Sequence, residues 1–452
     1  MKAYFVNIKA DFPIYKKNLT LALPVILSQV GQVSVSLVDN MMVGHKGTTE
    51  LAAASFSNSI FMIGMLLGMG ICMGLTPVVG KYFGQKNEQQ LGEYLRNGLF
   101  IHTIVSVGIV AVMCGVAFLL GYMGQPEEVS ALAFPYFLVL VASIIPLLLF
   151  YSFKQFLEGL GNTRIAMVIT LVSNLVNVVF NYLLIFGKFG FPELGLLGAG
   201  ISTLISRWLM PFMLVIYIVR HGEFVHLLQV ARQASLQWAK IKELLSIGFP
   251  IGAQIVIEVA TFSVGAVMMG WIGTAQLAAH QIALGMASFT YMISFGVGAA
   301  TTIYVSHEHG IGNYALIRRL VVASLHLVVL FMSVMGLLFV VLRYQLPWLF
   351  TSDPEVIGIA AGLLIIAALF QVFDGIQVTL LSALRGLSDV RMPMFVAFLS
   401  YSVIGLPVSY LCAFVFNFGA IGIWLGFLFG LIAAAFLFRR RLKRLLVVLE
   451  RH

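Results

Sequence analysis

Twelve stretches of this chain are apolar for long enough to cross the hydrocarbon core of a bilayer, about 30 Å thick and spanned by roughly 20 helical residues. They run near 18–44, 51–80, 97–122, 133–153, 165–187 and 196–219, then near 244–271, 277–305, 320–347, 357–384, 393–416 and 420–438. Backbone N–H and C=O groups find no water inside lipid, so such segments must close their hydrogen bonds internally, as helices. The expected fold is an all-α membrane protein with twelve transmembrane helices, and its first partner is the lipid bilayer. Composition agrees. Of the 452 residues, 60% are hydrophobic and 10% charged, where a soluble chain carries about a quarter charged residues. Lys2, Lys9, Lys16 and Lys17 lead straight into the first apolar stretch. That stretch is too long for a signal-peptide core and has no small-residue cleavage site, so it reads as a membrane helix. Cys72, Cys114 and Cys412 all fall in apolar stretches, with neither a pairing pattern nor metal-ligand spacing.

The basic residues sort by side. If the stretches alternate in direction, all 27 Lys and Arg residues share one face of the membrane except Lys46, Lys188, Arg343 and Arg207. The first three lie on the opposite side, and Arg207 falls inside the sixth stretch. By the positive-inside rule the crowded face is the cytoplasm, with both termini there. The net charge of +9 therefore marks orientation, and no nucleic-acid partner is expected.

The chain also repeats itself. At a shift of 226 residues Pro24 meets Pro250, Met42 meets Met268, Gly44 meets Gly270, and Leu51-Ala52-Ala53 meets Leu277-Ala278-Ala279. Gly70 meets Gly296, Thr76 meets Thr302 and Asn87 meets Asn313; at a shift of 227, Leu157, Gly159 and Arg164 meet Leu384, Gly386 and Arg391. Each half holds six stretches, an even number, so both enter the membrane in the same direction. The expectation is two six-helix lobes, residues 1–219 and 243–438, related by a pseudo-two-fold axis along the membrane normal. Residues 220–242 would be a cytoplasmic linker and 439–452 a basic cytoplasmic tail. Transporters built this way bind substrate between their halves and rock to expose it alternately.

Three acids stand out. Asp39, Glu258 and Asp374 sit well inside apolar stretches, where a charge costs from about 3 to over 10 kcal/mol. Each lies on a polar stripe at helical spacing. Gln32 and Ser36 precede Asp39, Gln254 precedes Glu258, and Gln371 and Gln377 flank Asp374. Asn174, Asn177 and Asn181 form a fourth stripe, and Gly64, Gly68, Gly70 and Gly74 read as close-packing positions. Such stripes would face an acidic, water-filled cleft. His280 and Gln281 open its second-half side. Neither a nucleophile with its base nor a metal cluster is evident, so no enzymatic role is expected.

These residues resemble the multidrug and toxic compound extrusion (MATE) family, and within it the NorM-type branch. The carrying motifs are Val38-Asp39-Asn40-Met41-Met42-Val43-Gly44, Pro250 with Gln254 and Glu258, Leu277-Ala278-Ala279-His280-Gln281, and Phe370-Gln371-Val372-Phe373-Asp374-Gly375-Ile376-Gln377. The resemblance covers the whole chain. It implies a multi-pass inner-membrane antiporter exporting small organic cations, drugs among them, in exchange for Na⁺ or H⁺, with no cofactor. Carried over by motif, Glu258 and Asp374 are the expected coupling-ion acids and Na⁺ ligands, with Tyr291 beside them and Asp39 as the first-half acid. Asp39, Gln281, Asp353, Asn174, Asn177, Gln254 and Gln371 are the expected substrate contacts. A buried carboxylate is costly unless protonated or paired with a cation. Substrate and coupling ion would thus compete for the same acids. A monomer is expected. The alternative is a flippase for lipid-linked saccharides, whose anionic cargo would call for a cavity lined with Lys and Arg.

Overall fold

The structure is a computed structural model that describes residues 8–451, with the side chains of residues 8–11 and of residue 223 left aside. Lys2 and the Lys9 side chain, part of the basic N-terminus, lie outside what is described. All regular structure among the described residues is helical. Twelve helices are long and apolar enough to cross a membrane. We number the helices α1 Ile8–Gly44, α2 Thr48–Gly84, α3 Glu88–Ala117, α4 Glu127–Gly159, α5 Arg164–Phe186 and α6 Leu196–Arg220. A short helix, α7 Gly222–Gln233, follows. Then come α8 Trp238–Ile272, α9 Thr274–Gly310, α10 Tyr314–Val341, α11 Pro354–Gly386, α12 Arg391–Val415 and α13 Gly419–Leu449.

The repeat seen in the sequence is written into local geometry. Asn87 caps α3 by accepting from the Gln90 N–H, and Asn313 caps α10 by accepting from the Leu316 N–H. Just before these caps, Lys86 and Gly312 share a left-handed backbone, with φ of 54° and 75°. Thr76 donates to the Gln155 carbonyl and Thr302 donates to the Ser382 carbonyl, each at 3.0 Å. A Cβ on Gly159 would lie 3.1 Å from the Thr76 carbonyl, and one on Gly386 2.8 Å from that of Thr302.

Two compact units emerge, residues 27–252 and residues 1–26 with 253–452. The division cuts α1 and α8, whereas the sequence placed it at the 220–242 linker. Glycines explain the cut. In the first unit, Cβ atoms on Gly70 and Gly74 would sit 2.3 Å and 2.7 Å from the Cα atoms of Gly252 and Gly248. The N-terminal part of α8 therefore packs backbone to backbone on α2, as small residues four apart permit. In the second unit, a Cβ on Gly296 of α9 would meet Ile26 at 2.3 Å and the Ala22 carbonyl at 3.1 Å. The start of each half's first helix thus belongs to the other half's unit.

Other expectations shift as well. The linker contains α7, whose Val230 fills the space above Gly92, while Arg96 of α3 donates to the Ala231 and Arg232 carbonyls. The basic tail is the last part of α13: Leu442 and Leu446 are buried with Phe438, and Arg441 pairs with Asp389. The long helices of the third and ninth apolar stretches end at Ala117 and Val341, and short helical turns at Leu120–Tyr122 and Gln345–Trp348 continue those stretches. Between α1 and α2, Lys46 pairs with Glu193 of the α5–α6 connection and holds its carboxyl below the usual carboxylate range.

Candidate functional site

In the unit of residues 27–252, helices α1, α2, α4, α5 and α6 enclose a cavity of about 400 Å³. The helix-1 stripe of Gln32, Ser36 and Asp39 lines it, as do Asn174 and Asn177 of α5. Asp39 accepts a hydrogen bond from Asn181 at 2.5 Å, and Asn181 also donates to Asn177 at 3.2 Å. Asn177 in turn reaches Thr203 at 3.4 Å. These bonds fix one carboxylate oxygen and turn the asparagine stripe into a bracket for the acid. Met62, Met65, Met69 and Met210 supply polarisable, adaptable walls. Phe61, Tyr136 and Tyr151 add aromatic faces, and Asn58 another amide. Arg207 lines the same space.

A second set of charges lies in the other unit. Glu258 accepts from the Tyr401 hydroxyl at 3.3 Å, and one turn earlier Gln254 accepts from Arg385 at 3.3 Å. Asp374, only 7% exposed, interacts electrostatically with Glu258, and Tyr291 and Tyr401 with both acids. Arg385 is the compensating charge for Glu258. The amide of Gln377, the Ser294 hydroxyl and the Gln254 amide nitrogen are buried without a protein hydrogen-bond partner. Buried polar atoms left over in this way are uncommon. Among the described residues no three His, Cys, Asp or Glu side chains converge as a metal cluster. A cation here would rest on the two carboxylates with hydroxyl and amide oxygens.

Not every expected contact lies in these sites. Gln281 is exposed near the start of α9. His280 is fully buried and takes a hydrogen bond from Trp424 at 3.1 Å. Asp353 caps α11, accepting from the Glu355 N–H at 2.9 Å. Gln371 is held inside its helix bundle, accepting from Thr290 and donating to the Met332 carbonyl. The three acids are also not the only ones enclosed: Glu158 pairs with Lys154 and Glu93 with Lys240, all four buried. Lys154 and Arg385, each one residue past the end of an apolar stretch in the sequence, belong to α4 and α11. Sequence reasoning missed Tyr401, Tyr136, Tyr151 and Asn58 as site residues. A hydroxyl or amide in an apolar run is the only signal they carry.

The MatE family model matches residues 24–183 and 250–411, one segment in each half of the repeat. A probable multidrug resistance protein NorM of Rhizobium meliloti is 34% identical over 437 residues, covering 96% of this chain and 94% of that protein. The multidrug resistance protein NorM of Vibrio cholerae is 33% identical, covering 95% and 96%. Among solved structures, the MATE transporter VcmN of Vibrio cholerae in its bent form superposes with a TM-score of 0.85 at 22% identity, covering 98% of this chain and 99% of that one. An outward-facing multidrug resistance MATE family transporter gives 0.89 at 18%, covering 97% of each. A family match in both halves, with relatives a third identical along nearly their whole length, places this chain in the MatE family.

Proposed function

We propose that this chain is a secondary active antiporter that exports organic cations, drugs among them, across the cytoplasmic membrane in exchange for Na⁺ or H⁺. The observation that carries the reading is the cavity around Asp39: a membrane-embedded, methionine- and aromatic-lined space with one carboxylate fixed at its wall. Its shape and chemistry suit a hydrophobic cation, with aromatic rings to face the charge and thioethers that adapt to different outlines. The names of the NorM relatives point the same way. A flippase for anionic saccharide carriers fits less well, because the lining offers a single arginine.

Transport then follows from charge. A carboxylate in apolar surroundings is stabilised by a proton, a metal ion or an organic cation, and whichever binds excludes the others. Rocking of the two halves would carry that exchange across the membrane. Both termini would face the cytoplasm and the protein would act as a monomer.

The test is efflux of a cationic dye from proteoliposomes, with an imposed Na⁺ gradient compared against an imposed pH gradient. One of the two should drive dye movement, and Asp39→Asn should abolish it while the protein still folds and inserts. Dye movement indifferent to both gradients, or wild-type efflux by Asp39→Asn, would refute the reading.

A further inference from the structure

Arg207 is the charge in the cavity that the export of simple cations does not use. It stands in the middle of α6, 25 residues long, so each helix end is roughly 15–20 Å away at 1.5 Å per residue. The guanidinium cannot snorkel over such a distance to interfacial water. A cation held at that depth needs a reason.

Its present contacts do not supply one. One nitrogen donates to the Ser143 hydroxyl at 2.6 Å, another approaches the Met65 sulfur at 3.9 Å, and the group lies 5.0 Å from the centre of the Phe61 ring. These are neutral partners for a group with five N–H donors set in a fork that fits a carboxylate. Asp39 lies within electrostatic range, yet its hydrogen bond comes from Asn181.

The repeat shows that the fold does not require an arginine here. Gly195, just before α6, and Gly419, the first residue of α13, share a left-handed backbone with φ of 56° and 55°, which sets a register of 224 residues between the last helices of the two halves. In that register Gly198 meets Gly422, and Arg207 meets Leu431, which is buried. Leu431 is packed into the apolar core of its own unit, in one cluster with Trp424 and Phe427. Leucine fills the bundle in one half; arginine lines an open cavity in the other.

We propose that Arg207 is an anion-reading group, and that the cavity takes zwitterions whose ammonium end faces Asp39 and whose carboxylate faces Arg207. The inference deepens the efflux reading and rests on it. A cavity with one fixed charge of each sign is close to neutral overall, and an amphoteric ligand satisfies both charges without leaving either unpaired in a low-dielectric space. A simple cation satisfies Asp39 alone.

The experiment uses a matched fluorescent pair: rhodamine 110, a zwitterion at neutral pH, and its methyl ester rhodamine 123, a cation. Binding to the full-length protein in detergent is read by fluorescence anisotropy. Arg207→Leu should weaken rhodamine 110 by at least about tenfold, the loss expected when charge-assisted bonds to a carboxylate disappear. It should leave rhodamine 123 unchanged or tighter. Arg207→Lys, which keeps the charge should the leucine variant fail to fold, should weaken rhodamine 110 less than leucine does and spare rhodamine 123. Asp39→Asn should weaken both dyes. Equal losses of both dyes in the Arg207 variants would make the residue structural and overturn the proposal, as would unchanged binding of both. Wild-type binding of rhodamine 123 without rhodamine 110 would overturn the anion subsite and leave cation export standing. Binding of neither dye would refute both.

Discussion

Glu258 and Asp374 pose a problem that only a third charge solves. Arg385 offsets Glu258, but the charge acting on Asp374 is that of Glu258, which repels it. Two interacting carboxylates in an apolar setting are stabilised when a cation or a proton joins them, and on the proposed exchange that cation or proton is the coupling ion. If Na⁺ is that ion, raising its concentration should weaken organic-cation binding, and Glu258→Gln or Asp374→Asn should each blunt the effect. The double variant should be little worse than either single one, as for residues sharing one site. Titrations at several Na⁺ concentrations and fixed pH would show it. Strictly additive losses would rule out a common Na⁺ site and leave H⁺ as the coupling ion. At a shift of 226 residues the first-half equivalent of Glu258 is the neutral Gln32, so Na⁺ sensitivity should trace to the second half alone. These acids were legible in the sequence because a carboxylate in an apolar run has no cheap explanation. Tyr401 was not, since a tyrosine in such a run is as often packing as chemistry, and in lipid no polar face reveals which way it points.

Helix contacts in this protein are set by glycine as much as by bulky side chains. At Gly70 a methyl group would have to displace the α8 backbone at Gly252, with no flexible side chain to move instead. Gly70→Ala should therefore cost about 1–3 kcal/mol, as overpacking does, read as a lower melting temperature in detergent. Gly108 has nothing within 4 Å of its Cβ position. Gly108→Ala should stay within about 1 kcal/mol of wild type or gain slightly. A Gly70→Ala protein as stable as the Gly108→Ala control would show that α2 and α8 do not meet backbone to backbone. The count of membrane helices and the equivalence of the halves were readable, because run length and a fixed shift are properties of the sequence itself. The partition of α1 and α8 between units was not. A repeat says that Gly70 corresponds to Gly296 but not that each packs on the other half's first helix. Nor did composition reveal α7: a basic, polar stretch reads as linker until Gly92 and Val230 are found in contact.

For the whole molecule the decisive property is orientation, and it depends on how basic residues are counted. Several turn out not to be free loop charges: Lys154 pairs with Glu158, Lys240 with Glu93, Arg441 with Asp389 and Arg318 with Glu450. If net charge fixed orientation, those pairs would erase much of the asymmetry. The rule instead counts Lys and Arg near the membrane ends, with acids contributing little, so the paired residues still vote. Only Lys46, Lys188 and Arg343 oppose them, and Lys46 is itself paired with Glu193. Twelve crossings then return the chain to the side on which it began. The turns on either side of α3 give the sharpest check, because Gln85 and Gln125 are both exposed and flank a single helix. In a background with Cys72, Cys114 and Cys412 replaced, Gln125→Cys should react with a membrane-impermeant thiol reagent added to intact spheroplasts. Gln85→Cys should react only after the membrane is permeabilised. The reverse pattern would invert the molecule and place its basic face outside. Labelling of both from the same side would mean that α3 does not cross, leaving an odd number of spans and putting the two termini on opposite faces.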